Sequence, residues 1–207
     1  MLIDGARITH GDVEYVIKAH PAGTVTLPSG QVVGCDPLIA PDTAAPFTVT
    51  VTPGRYRLAA WVATIHQSGS GSQDRTAALQ LVVRDRPTVR WELALTDGQE
   101  PVDLGADGFF GYPVDAGVGT LAEVVAVRAL ARWEVDPVDE VFIPAQVPPA
   151  PAAVDAIVDE ATGANVIIVS SGWGDGIYPT FIGFGADGEV TSYVTDFLVI
   201  PDQTAEV

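Results

Sequence analysis

Four carboxylates stand in or near glycine-bearing stretches of this chain: Asp115, Glu123, Asp175 and Asp196. Hard cations such as calcium or magnesium need several oxygens around one point, so a shared divalent-cation site is one chemistry these residues could perform. Trp173 and Tyr178 frame Asp175 in "SGWGDGIYP". Aromatic rings beside glycine commonly wall small-molecule sites. A candidate ligand set is therefore Asp115, Glu123, Trp173, Asp175 and Tyr178, fitting a carboxylate-dependent or cation-dependent small-molecule binder or hydrolase. The competing reading gives these residues separate duties in turns and caps, with no metal or other cofactor. The four carboxylates come from three separate segments, so convergence is a matter for the fold.

Other chemistries find less support. His10, His20 and His66 are scattered, without metal-ligand spacing. Ser170 and Ser171 precede Gly172, but no G-x-S-x-G elbow surrounds them and no base is suggested. The glycine loop is a poor phosphate cradle, because no Lys or Arg follows Arg132. Cys35 is the only cysteine, which removes an intrachain disulfide and a cysteine-based zinc site.

Charge points to another function class. The net charge is −17. Residues 1–100 carry ten acids and eight bases, whereas residues 101–207 carry seventeen acids and two bases, Arg128 and Arg132. A half of that kind repels nucleic acid and anionic membrane and attracts basic partners. A non-enzymatic module that engages a basic protein, as toxin-neutralising immunity proteins do, is therefore the leading expectation. The start "MLIDGARITHGDVEYV" carries no basic segment followed by an apolar one, and no run of 18 apolar residues follows. A cytoplasmic location is the corresponding expectation.

The elements that must position these residues are mostly strands. "EYVIKA", "TVTLPSGQVVGCDPL", "FTVTVTPGRYRLAAWVATI", "TAALQLVV" and "TVRWELAL" carry β-prone residues, punctuated by turns at Pro28–Gly30, Pro53-Gly54 and Asp97-Gly98. "GTLAEVVAVRALARW" changes to helical spacing, and Thr120 with Glu123 fits a capping box. On that reading Asp115 stands close enough to the helix start to cap it. Residues 144–151 form a proline-rich connection, expected to be extended. "AAVDAIVDEATG" reads as a short acidic helix stopped by Gly163. "ANVIIVSSG", "YPTFIGFG" and "EVTSYVTDFLVI" return to strands, the last two joined at Asp187-Gly188. The expectation is one domain over 1–207. Its class is α+β, mainly antiparallel β, sandwich-like or a strongly curved sheet, with one or two helices.

Three segments together resemble a mostly bacterial family, the domain of unknown function numbered four-two-four-one: Leu27 to Leu38, Tyr112 to Glu123, and Ser171 to Phe197. The resemblance falls on Gly30, Asp36, Pro37, Asp115, Gly117, Gly119, Gly172, Gly174, Asp175, Gly176, Tyr178 and Pro179; Asp196 lies within its last segment. Where the family has Cys-Phe and then an aspartate, this chain has Thr120-Leu121 and then Glu123. The resemblance implies no activity. It implies that Gly30, Asp36, Pro37, Gly117, Gly119, Gly172, Gly174, Gly176, Pro179 and Asp196 form structural motifs. Within the last segment, Asp175 is expected to tie its turn through its side chain, at a corner between two core strands.

Overall fold

The computed structural model describes residues 3–105, 108–134 and 150–201. Most of the proline-rich stretch, 144–149, lies outside the described residues. The described residues form twelve strands, and all their pairings are antiparallel. Eight of them build one sheet: β1 (Arg7–His10), β2 (Val13–Leu27), β4 (Gly54–Gln67), β5 (Ser70–Val82), β12 (Val190–Asp196), β11 (Gly176–Phe184) and β6 (Arg90–Leu93) in that order, with β7 (Gly111–Val114) also pairing with β11. This sheet curls into a half-barrel. The long β2–β4 ladder bends at a bulge between Pro21 and Gly23. Proline cannot donate to a ladder, and bulges are where a strand tolerates it.

A second sheet of four strands has the order β3 (Val32–Cys35), β8 (Val118–Glu123), β10 (Ala164–Ser170) and β9 (Val154–Asp159). It forms a middle layer. Val32, Leu121, Ile167 and Val169 face the large sheet and join its core with Leu27, Leu58, Leu79 and Phe197. Val33, Ala122, Val166 and Ile168 face the other way, against Ala126, Val127 and Leu130 of the helix α1 (Val124–Leu130). Burial on both faces explains why "NVIIV" shows no polar alternation. Each such fully buried Leu or Ile contributes roughly 1.5–3 kcal/mol.

Two helical expectations are corrected here. Residues Val118–Glu123 are strand, and α1 starts only at Val124. Thr120 is no N-cap: its hydroxyl donates to the Ile167 carbonyl at 2.7 Å. Glu123 occupies the N-cap position without a side-chain capping bond. Asp115 therefore caps no helix. The apolar spacing of this stretch fits a helix, but it also fits a strand buried on both sides, and pairing with β3 and β10 decides for the strand. The second correction concerns "VDAIVD", which is β9 rather than a helix. Val154, Ala156 and Val158 point into the core shared with α1 at a period of two, and the Asp159–Gly163 turn joins β9 to β10. Strand pairing here outweighs local propensity. In addition, "FTVTV" makes only isolated bridges, Gln31 with Thr50 and Phe47 with Thr96. The hairpin at Asp187-Gly188 is present between β11 and β12, as are the turns at 28–30 and 97–98.

Candidate functional site

The three segments of the resemblance meet at one corner. β3 ends at Cys35, and the next residue, Asp36, is only 3% exposed. One carboxylate oxygen accepts from the Leu38 N–H at 3.0 Å. The other accepts from the Asp115 and Ala116 N–H groups at 3.0 and 2.7 Å. Asp36 thus fixes the β7–β8 turn to the end of β3. The following Pro37 keeps Asp36 out of helical backbone, which suits a strand end.

The glycine loop after β10 joins the same corner. The Ser171 N–H donates to the Gly117 carbonyl at 3.0 Å, and the Gly172 N–H donates to the Thr76 carbonyl at 3.1 Å. Gly172 has φ +43°, and a Cβ there would stand 2.6 Å from the Phe197 carbonyl oxygen, so both conformation and space require glycine. The Gly174 carbonyl accepts two hydroxyls, Ser171 Oγ at 2.9 Å and Tyr178 Oη at 2.8 Å. These bonds, rather than the Asp175 side chain, tie the loop; no hydrogen bond or ion pair of Asp175 occurs among the described residues. The loop is a corner between β10 and β11, as the sequence suggested.

β7 and β11 pair Val114 with Gly176, so Asp115 and Asp175 follow opposite each other where the ladder opens. Both are exposed. Trp173 is 53% exposed, and the Arg75 guanidinium lies 5.0 Å from its ring centre. This is cation–π distance, and it braces one side of the indole. Tyr178 is buried; burial first, and the nearby Asp175 charge second, push its phenol pKa up, while the Ser171 hydroxyl works against both.

Glu123 is elsewhere. It sits five strand steps beyond Val118, roughly 17 Å away at ~3.3 Å per residue. It is fully buried, accepting from Ser29 N–H at 3.0 Å and Ser29 Oγ at 2.6 Å. The structure therefore brings Asp115 to Asp175 and leaves Glu123 at the far end of β8. Among the described residues no three His, Cys, Asp or Glu side chains gather as a set that could hold a metal ion. Asp196 accepts from the Leu198 N–H at 2.8 Å, a local turn. Pro179 pairs with Gly111 in the β7–β11 ladder. Gly30, at φ +76°, has its missing Cβ 1.9 Å from the Val51 carbonyl oxygen, so the chain passes where a side chain would be.

Sequence reasoning missed three partners: Ser29 for Glu123, Arg75 for Trp173, and Asp36 as the anchor of the turn at 115. Only Asp36 had a local signal, an Asp-Pro pair closing a β-prone run.

Beside this corner lies a cavity of about 200 Å³. Tyr112 forms part of its wall, packed where Gly34 and Gly119 have no side chains: a Cβ would come 2.9 Å from its ring at Gly34 and 2.7 Å from its hydroxyl at Gly119. The Tyr112 hydroxyl has no solvent-accessible surface and no hydrogen bond of full geometry. Burial pushes its pKa far up; the Thr195 hydroxyl opposes this, and the charge of Asp36 adds to it. The Cys35 thiol is likewise pushed up, by burial first and Asp36 second, so it is a neutral thiol and no nucleophile.

Residues 25–195 match the family model described as "Protein of unknown function (DUF4241)", which covers well over half of the chain; the chain belongs to that family. No curated protein and no solved structure matches it.

Proposed function

We propose that this member of the family is a non-enzymatic binding module that engages a basic protein, in the manner of an immunity protein, in the cytoplasm. One observation carries the reading. Asp115 and Asp175 face each other at an open ladder end with no ion-pair partner among the described residues, beside a half-exposed Trp173 on a loop fixed by backbone hydrogen bonds. Like charges placed opposite each other destabilise a sheet, so the arrangement costs the free protein and is repaid by a cation from outside. Tryptophan is enriched among residues that dominate binding energy, and a preorganised loop lowers the entropy lost on association.

The wider field favours the same class of partner. Of the second-half acids, Asp187 and Glu189 pair with Arg84 and Arg86 of the first half, while Asp115, Asp155, Glu160 and Asp175 stay exposed. The net charge of −17 disfavours phosphate-bearing nucleic acid and anionic lipid.

The test is capture from the native host at low salt, comparing the wild-type chain with a Trp173→Ala/Asp115→Asn/Asp175→Asn variant. A basic protein retained by the wild type is expected to elute near ~1 M salt, where the Debye length falls to ~3 Å. The variant is expected to lose it. Retention of the same protein by the folded variant would sink the proposal.

A further inference from the structure

The cavity beside the corner lies between the end of β3, the 39–47 loop, the 94–99 segment and β7. Its wall includes the aromatic residues Phe47, Phe110 and Tyr112, and the carboxylate-bearing Asp36. Among the described residues neither Lys, Arg nor His lines it, and Asp36 is the one acid that does. At about 200 Å³ it falls below the ~300–1,000 Å³ of sites for drug-sized molecules, so its occupant is small.

We propose that this cavity is a binding site for a small organic cation, an alkylammonium or quaternary ammonium compound, held by the Asp36 charge and the Phe47, Phe110 and Tyr112 rings. Three features support the assignment. First, the Asp36 carboxylate is held in place by three backbone N–H groups, so it is a fixed anion that needs no reorganisation when a cation arrives. Second, among the described residues that line the cavity no Lys, Arg or His offsets the Asp36 charge. An anion entering here would meet that charge without a compensating base, and a neutral molecule would gain nothing from it. Third, aromatic faces attract a cation through the ring quadrupole, and more strongly when water is excluded. Gly34 keeps the Phe47 and Tyr112 rings where they stand, since a Cβ there would lie 3.1 and 2.9 Å from them.

This site is separate from the proposed protein-binding face. Asp36, Phe47 and Phe110 line the cavity, whereas Trp173 and Asp175 do not.

The probes are choline and its neutral isostere 3,3-dimethylbutan-1-ol, titrated into the intact chain while backbone amide shifts are followed by NMR. Choline is expected to give a saturable shift centred on residues 34–36, 43–47 and 110–113, roughly tenfold tighter than the isostere. Ala45→Trp, which adds a bulky ring at an exposed position of the cavity lining, is expected to abolish the shift and leave the fold intact. Phe110→Ala is expected to weaken choline several-fold and the isostere less. Equal affinity for the two probes overturns the proposal. So does a choline shift that spreads over the acidic surface and survives Ala45→Trp, or no saturable shift at all.

Discussion

The two ends of β8 use the same residue type in opposite ways. At the Glu123 end the carboxylate is fully buried and spent on Ser29, and its charge serves to hold the 28–30 turn against the small sheet. At the other end a buried carboxylate again does the holding, but it comes from the residue that follows β3: Asp36 secures the turn at 115–116. The turn so secured then presents Asp115 outward, beside Asp175 and Trp173. A carboxylate surrounded by N–H and O–H donors holds the fold together, and one left at a ladder end with a like charge is open to a protein partner at the surface. Residue type alone does not separate these roles; the donors around each oxygen do.

That contrast can be broken by substitution. Asp36→Ala is expected to have the largest effect, about 3 kcal/mol in urea unfolding, because it leaves three backbone N–H groups without an acceptor. Glu123→Ala is expected to follow at about 2 kcal/mol, with binding of the basic partner unchanged; a loss of that binding in folded protein would erase the distinction between the two ends. Next comes pH. Tyr112 and Tyr193 have phenol pKa values raised by burial, so their contribution is complete below the unfolded value near 10 and is lost as pH climbs toward the folded values. Stability is expected to fall above pH ~10 by about 1.4 kcal/mol per pH unit for each such group. Tyr112→Phe is expected to flatten that fall while leaving stability at pH 7 unchanged or higher, since its buried hydroxyl lacks a hydrogen bond of full geometry. The smallest change in stability is expected from the exposed corner. Trp173→Ala and Asp175→Asn should each stay within about 0.5 kcal/mol by the same assay. Partner affinity is where they differ from Glu123→Ala, with roughly a tenfold loss or more for Trp173→Ala. A destabilised Asp175→Asn would return that residue to the structural class.

Much of the fold was legible. Turn residues marked the hairpin at 187–188, and the loop at 171–176 was read as a glycine corner between strands, whereas the alternation of "FTVTV" before Pro53-Gly54 gave no strand to pair with β4. The helix assigned from Thr120 and the one assigned to "VDAIVD" were misread for one shared reason. Both stretches are apolar enough to be buried, and a short apolar run carries no period when both of its faces are covered. Of the five candidate site residues, Asp115, Trp173, Asp175 and Tyr178 gather at one corner, while Glu123 leaves them because the strand it ends on runs away from that corner.

By itself the sequence determined the acidic character, the mainly antiparallel class and the family. Composition and turn chemistry are local properties, and they survive reading one residue at a time. Only the tertiary structure decided that β8 and β10 form a middle layer, that Asp36 holds the turn at 115, and that Glu123 is buried on Ser29 while Asp175 has no hydrogen bond or ion pair among the described residues. Those outcomes depend on which backbone donors lie within about 3 Å of each carboxylate, and pairings between strands distant in the chain set that distance.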